Sequence, residues 1–151
     1  MNPKIKELYV EASILFEEKK YAEVVKVISG AQPESQNSGA LLILLADSLY
    51  ELRNDLGALE IYVKYVDLYP MGRALQFALF NSSICLKNLG LELEARQILE
   101  LVSKKHPGIE SEISDSDNRI LAFDKAKECV EKIVKSLANA DKGAKTASLK
   151  K

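Results

Sequence analysis

Apolar side chains recur at three- and four-residue steps along most of the chain, the spacing of helices with one buried face. Ile5, Leu8, Ala12 and Leu15 predict a first helix over about 4–18. Val24, Val25 and Ile28 predict a second over about 21–29, with Gly30 as its stop. The stretch Gln32-Pro33-Glu34-Ser35-Gln36-Asn37-Ser38 is dense in turn formers and reads as loop. A third helix, about 39–53, is apolar on two sides, which predicts the deepest burial. Asn54-Asp55 supplies the cap of a fourth, about 55–68, and Pro70 and Gly72 break the chain after it. A fifth helix, about 73–89, ends at Gly90, and a sixth, about 92–105, stops before Pro107. Gly108 to Ser114 is a polar link. Ser114-Asp115-Ser116-Asp117 then offers N-cap acceptors for a seventh helix, about 116–138. Its stripe is Ile120, Leu121, Ala126, Cys129, Val130, Ile133, Val134 and Leu137, and its other face is charged. Such a helix is expected to cover the last repeat through Ile120, Val130 and Ile133 and to meet water outside.

These helices are not independent. Ala46 precedes Ala58 by twelve positions, and Ala58 precedes Pro70 by twelve more. The same steps link Ser83, Ala95 and Pro107, and a fainter copy links Ala12 to Val24. Small residues let two helices cross closely, and the proline ends the second helix because it has no N–H to donate. A two-helix unit of this length cannot bury its apolar face alone, so it stacks on its neighbours.

At 151 residues the chain is long enough for one domain with a real core, and 47% hydrophobic with 28% charged residues is a typical globular balance. The net charge of −1 gives no general pull towards nucleic acid or anionic lipid, so neither is an expected partner. Four lysines and one aspartate among small polar residues mark 139–151 as a basic disordered tail following a helical domain over 1–138. No apolar run is long enough to span a bilayer, so no membrane insertion is expected. Cys85 and Cys129 are far apart among apolar helix positions, which points to a reducing compartment, cytoplasmic or nuclear.

Catalytic chemistry finds no constellation. His106 is the single histidine and falls in a repeat-ending loop. One histidine and two separated cysteines make no zinc site at any common spacing. The glycines are scattered at helix ends rather than gathered in a phosphate loop. Neither cysteine has an evident basic partner, so both are expected in the core. No enzyme activity, cofactor, metal or small-molecule substrate is expected.

The phased positions resemble the tetratricopeptide repeat over roughly residues 4–107. The small first-helix positions are Ala12, Ala46 and Ser83, and the large residues three later are Leu15, Leu49 and Leu86. The early second-helix positions are Val24, Ala58 and Ala95, followed by Ile28, Tyr62 and Leu99, with Pro70 and Pro107 ending two units. Leu8, Leu42 and Leu79 replace the family's tryptophan, and three extra residues separate repeats two and three near Met71 to Gln76. The resemblance implies an all-α fold: three helical hairpins stacked as a right-handed superhelix, plus a C-terminal capping helix. It also implies a concave groove lined by the first helices, where a protein or peptide partner binds. Carried over, the groove positions are Tyr9, Ser13 and Phe16; Ile43, Asp47 and Tyr50; and Phe77, Phe80, Ile84 and Lys87. A groove for acidic chaperone tails needs cations or amides where Tyr9, Ser13 and Phe77 stand, so an apolar partner is expected instead. A second copy of the chain is an alternative occupant. Two narrower identities are compatible: a chaperone for hydrophobic secretion-translocator proteins, and a scaffold subunit of a multiprotein complex such as the anaphase-promoting complex.

Overall fold

The computed structural model describes residues 2–103 and 123–149, and all regular structure among them is helical. In chain order the helices are α1 (Pro3–Glu17), α2 (Tyr21–Ser29), α3 (Pro33–Gln36), α4 (Gly39–Glu51), α5 (Asp55–Leu68), α6 (Leu75–Asn88), α7 (Glu92–Ser103) and α8 (Phe123–Leu149). They pack as successive hairpins, α1 on α2, α4 on α5 and α6 on α7. Each hairpin joins the next through α2 against α4 and α5 against α6.

One turn recurs inside every hairpin. Lys19, Arg53 and Gly90 follow the first helix of each pair and all hold positive φ, at 60°, 63° and 84°. At each, the residue's N–H donates to a carbonyl three back (Phe16, Tyr50, Lys87), and the next N–H reaches five back (Leu15, Leu49, Leu86). This is the Schellman arrangement, which satisfies carbonyls that the helix end leaves open. The three turns therefore carry the repeat in backbone conformation as well as in sequence, and the third alone uses glycine, the residue suited to it.

The small residues at the repeat positions are fully enclosed. Ala12, Ala46, Ala58 and Ser83 are 0% exposed, and Ala95 is 2% exposed. Around them lie two apolar clusters. The smaller gathers Ala12, Val24, Ile28 and Leu41 with Leu8, Leu15, Leu44 and Leu45 against it. The larger runs from Leu42 and Ala46 through α5, α6 and α7 to Ala126, Cys129, Val130 and Ile133 of α8. Helix α4 faces both clusters, as its two apolar sides require. It is not the most buried helix, however: α5 and α6 enclose more of their residues.

Helix α6 is enclosed between α5 and α7; for α5 the cause is the position of α8. Its stripe of Ala126, Cys129, Val130, Ile133 and Ser136 lies mainly along α5, with a lighter contact on α7, so it covers the second hairpin rather than the end of the third. Ser136 Oγ donates to Asp67 Oδ1 at 2.7 Å, tying α8 to the last turn of α5. Val134, expected in the stripe, is 49% exposed, and Ile120 and Leu121 lie outside the described residues. So do His106 and Pro107. Nor does the helix stop at 138. Its backbone stays helical to Leu149, contrary to the expected disordered tail. Ala138, Ala140, Ala144 and Ala147 are the strongest helix formers, and no proline interrupts them.

Two loops also differ from expectation. Residues 33–36 form one helical turn started by Pro33. Gln36 Nε2 donates to the carbonyls of Ser29 and Ala31, closing the end of α2. The three extra residues before α6 wrap Tyr65, whose hydroxyl accepts the Ala74 N–H at 3.1 Å. A Cβ on Gly72 would fall 2.3 Å from that hydroxyl oxygen, so only glycine fits there without displacement.

The shared turn is testable. A side chain in the left-handed region costs about 1–2 kcal/mol, so Gly90→Ala should destabilise the protein by about that amount. Arg53→Gly should be neutral or stabilising by up to about 1 kcal/mol, after glycine's larger unfolded-state entropy is subtracted. Urea midpoints of the two variants check both signs.

Candidate functional site

The face made by α4 and α6 combines apolar side chains with a buried polar link. On α4, Ile43, Asp47 and Tyr50 stand one turn apart; on α6, Phe77, Asn81 and Ile84 do the same. Tyr62 of α5 lies beneath and between them. Its hydroxyl donates to Asp47 Oδ1 and accepts from Asn81 Nδ2 at 3.1 Å, so one phenol bridges α4 and α6. The Phe77 ring meets the Tyr62 ring edge to face, with centroids 6.5 Å apart at 77°. Tyr62 is 1% exposed, whereas Phe77 is 46% exposed, so the pair leads from core to surface.

A second polar link lies at the hairpin end of the same face. Asn88 Nδ2 donates to Asp55 Oδ1 at 3.0 Å, and Asn88 also hydrogen-bonds the Tyr50 hydroxyl. Cys85 is fully buried between these groups. Burial first, then the nearby Asp55 and Asp47, hold its thiol well above the ordinary cysteine range. It is a protonated core residue rather than a nucleophile.

Desolvation dominates the electrostatics. Burial raises the Asp47 carboxyl above its ordinary value of 3.8, Glu51 adds to the rise, and the Tyr62 hydrogen bond opposes it. Burial raises Tyr62 far above the ordinary tyrosine value, reinforced by Asp47. Burial also raises Tyr50, with Cys85, Asp55 and Glu51 acting in the same direction and the Asn88 hydrogen bond against it. The phenols are therefore neutral, and Asp47 is the group in this link whose charge has lost most of its water.

The ten expected groove residues divide into two sets. Ile43, Tyr50 and Phe80 pack against the larger cluster, and Asp47 and Phe77 meet at Tyr62. Ile84 and Lys87 are half-buried on the same helix. Phe16 instead belongs to the smaller cluster and stacks edge-on with Tyr21 at 5.2 Å. Tyr9 is 37% exposed and Ser13 half-buried, both on α1, and no contact brings them to the Tyr62 link. Sequence reading missed Asn81, Asn88 and the bridging role of Tyr62. The signal was present: Asn81 stands between Phe77 and Ile84 on one apolar helix face, where an amide needs a partner.

A concavity of about 460 Å³ lies elsewhere, between α5 and α8. Its charged lining has both signs, with Glu60, Asp67 and Glu128 beside Lys64 and Lys132, and Asp67 already takes the Ser136 hydroxyl. Among the described residues no three potential metal ligands converge, and no helix is long and apolar enough to cross a membrane.

The raised Asp47 pKa has a stability consequence. The folded state holds this proton more tightly than the unfolded chain. The contribution is therefore fully present below about pH 3.8 and lost as pH rises through the folded value. Asp47→Asn removes the titration while keeping an acceptor for Tyr62. The melting temperature of the variant, minus that of the wild type, should grow between pH 3 and pH 7; scanning calorimetry at several pH values measures it.

Comparison with family models, with curated proteins and with solved structures finds no match to this chain.

Proposed function

We propose that the chain is a tetratricopeptide-type repeat domain, its hairpins wound as a right-handed superhelix, that binds a protein segment across α4 and α6 without catalysing a reaction. The observation that carries this reading is the ladder from Phe77 through Tyr62 to Asp47 and Asn81. An exposed aromatic ring rests on a rigid aromatic floor, and that floor is pinned by hydrogen bonds from two helices. Aromatic side chains bury much area at low entropic cost, which suits them as anchors at interfaces. A pre-formed floor also lowers the ordering cost of binding.

Three in-phase Schellman turns and enclosed small residues support the repeat assignment. At the centre of the face the titratable groups are protonated tyrosines, a buried thiol and one desolvated carboxylate, with Glu51, Asp55 and Lys87 around them, which supports recognition rather than acid–base or nucleophilic work. Guarding a hydrophobic translocator protein and scaffolding a larger assembly are two uses of the same face, and a cytoplasmic or nuclear setting suits either.

Tyr50→Ala and Phe77→Ala should each weaken a partner by about 1–3 kcal/mol while leaving the helical circular-dichroism signal intact. Lys26→Ala and Glu23→Ala, exposed on α2, should leave binding unchanged. Glu60 is no suitable control, because it borders α8. Quantitative affinity capture with all four variants decides the matter. Loss of partners only with the α2 variants would place binding on the opposite surface.

A further inference from the structure

The charge of the α4–α6 face is one-sided, and its central carboxylate is in unusual surroundings. Asp47 stands one turn from Ile43 and one turn from Tyr50, and it shares Tyr62 with Phe77 and Asn81 of α6. Its Oδ1 accepts the Tyr62 hydroxyl. A carboxylate has about four acceptor positions, and the Tyr62 hydroxyl takes one of them. Glu51 follows one turn along α4, and Asp55 lies at the start of α5 beside Tyr50 and Cys85. Lys87 is the one cation among the groove positions. Three carboxylates against one ammonium disfavour an acidic ligand, and an uncharged apolar segment would strip the remaining water from Asp47 without replacing it, at a cost. A cation restores what burial removed, and the rings of Phe77 and Tyr50 add favourable faces for a guanidinium.

Resting on the binding reading above, we propose that the occupant of this groove is a protein segment carrying an arginine or lysine flanked by aliphatic or aromatic residues. The cation sits on Asp47, and the flanks lie against Ile43, Tyr50, Phe77 and Ile84. Tyr62 and Asn81 act as positioning residues: they fix the carboxylate so that one oxygen is spent internally and the other is presented. The apolar flanks supply most of the affinity, and the cation selects among apolar segments, because a wrong partner leaves a desolvated charge unpaired.

The test uses the full chain and a random dodecapeptide library displayed on phage. Recovered sequences should contain arginine or lysine with leucine, isoleucine or an aromatic within three or four positions. Asp47→Asn should weaken the best synthetic peptide about tenfold, replacing the peptide's cation with glutamine should weaken it equally, and combining the two should cost no more than either alone. Peptides that depend on Tyr50 and Phe77 but not on Asp47 would overturn the cation proposal and leave the groove reading standing. Peptides indifferent to Tyr50 and Phe77, or no enrichment at all, would overturn both. A dimer in light scattering that dissociates with Phe77→Ala would show that a second copy fills the groove and would also overturn the proposal.

Discussion

Helix α5 has to bury three sides, and most of the architecture follows from that requirement. Ala58, Leu59, Tyr62, Val63, Tyr65 and Val66 are all enclosed, and these positions cover too much of the helix surface for one neighbour to shield. Helix α4 covers one side as its hairpin partner, α6 a second as the start of the next hairpin, and α8 the outer side. Fully burying a large apolar side chain is worth about 1.5–3 kcal/mol, so leaving Val63 and its neighbours open would cost a substantial part of a domain's stability. The same helix carries Tyr62, so one of the two most enclosed helices among the described residues also holds the link beneath the α4–α6 face.

Much of this was legible in the sequence because it depends on local spacing. Helix periodicity, the enclosed small residues, Gly90 as a stop and Asn54 as a cap all require only neighbours within a turn or two. The destination of α8 was not legible. Its stripe shows that it must cover something, but α5 and α7 both offer apolar surface, and the choice depends on packing between distant segments. The helical backbone past 138 was missed for another reason: charge and small size argued for disorder, whereas alanine content favours helix. At the groove, the apolar positions could be carried over from the repeat resemblance, but the Tyr62 link joins residues fifteen and nineteen apart on three helices. Such a link appears only once the helices are placed.

On the proposed reading, the α4–α6 face trades stability for readiness to bind. Asp47 is held in an environment that penalises its charge, and Phe77 exposes a large apolar ring to water. Both touch Tyr62, and under the proposed binding reading each would gain from a complementary surface. The rigidity that makes the trade workable comes from beneath, where Tyr62 is shielded by the core and fixed by two hydrogen bonds. Among the described residues the smaller cluster around Ala12 and Ile28 has no equivalent link, so the first hairpin is expected to open more readily than the rest.

Native-state hydrogen exchange tests this picture of a molecule built around α5 most directly. Amides of α5 should exchange only through global unfolding, while those of α1 and α2 should open at a distinctly lower free energy through the separate smaller cluster. Uniform protection across all hairpins, or α5 amides that exchange before those of α1, would contradict the account.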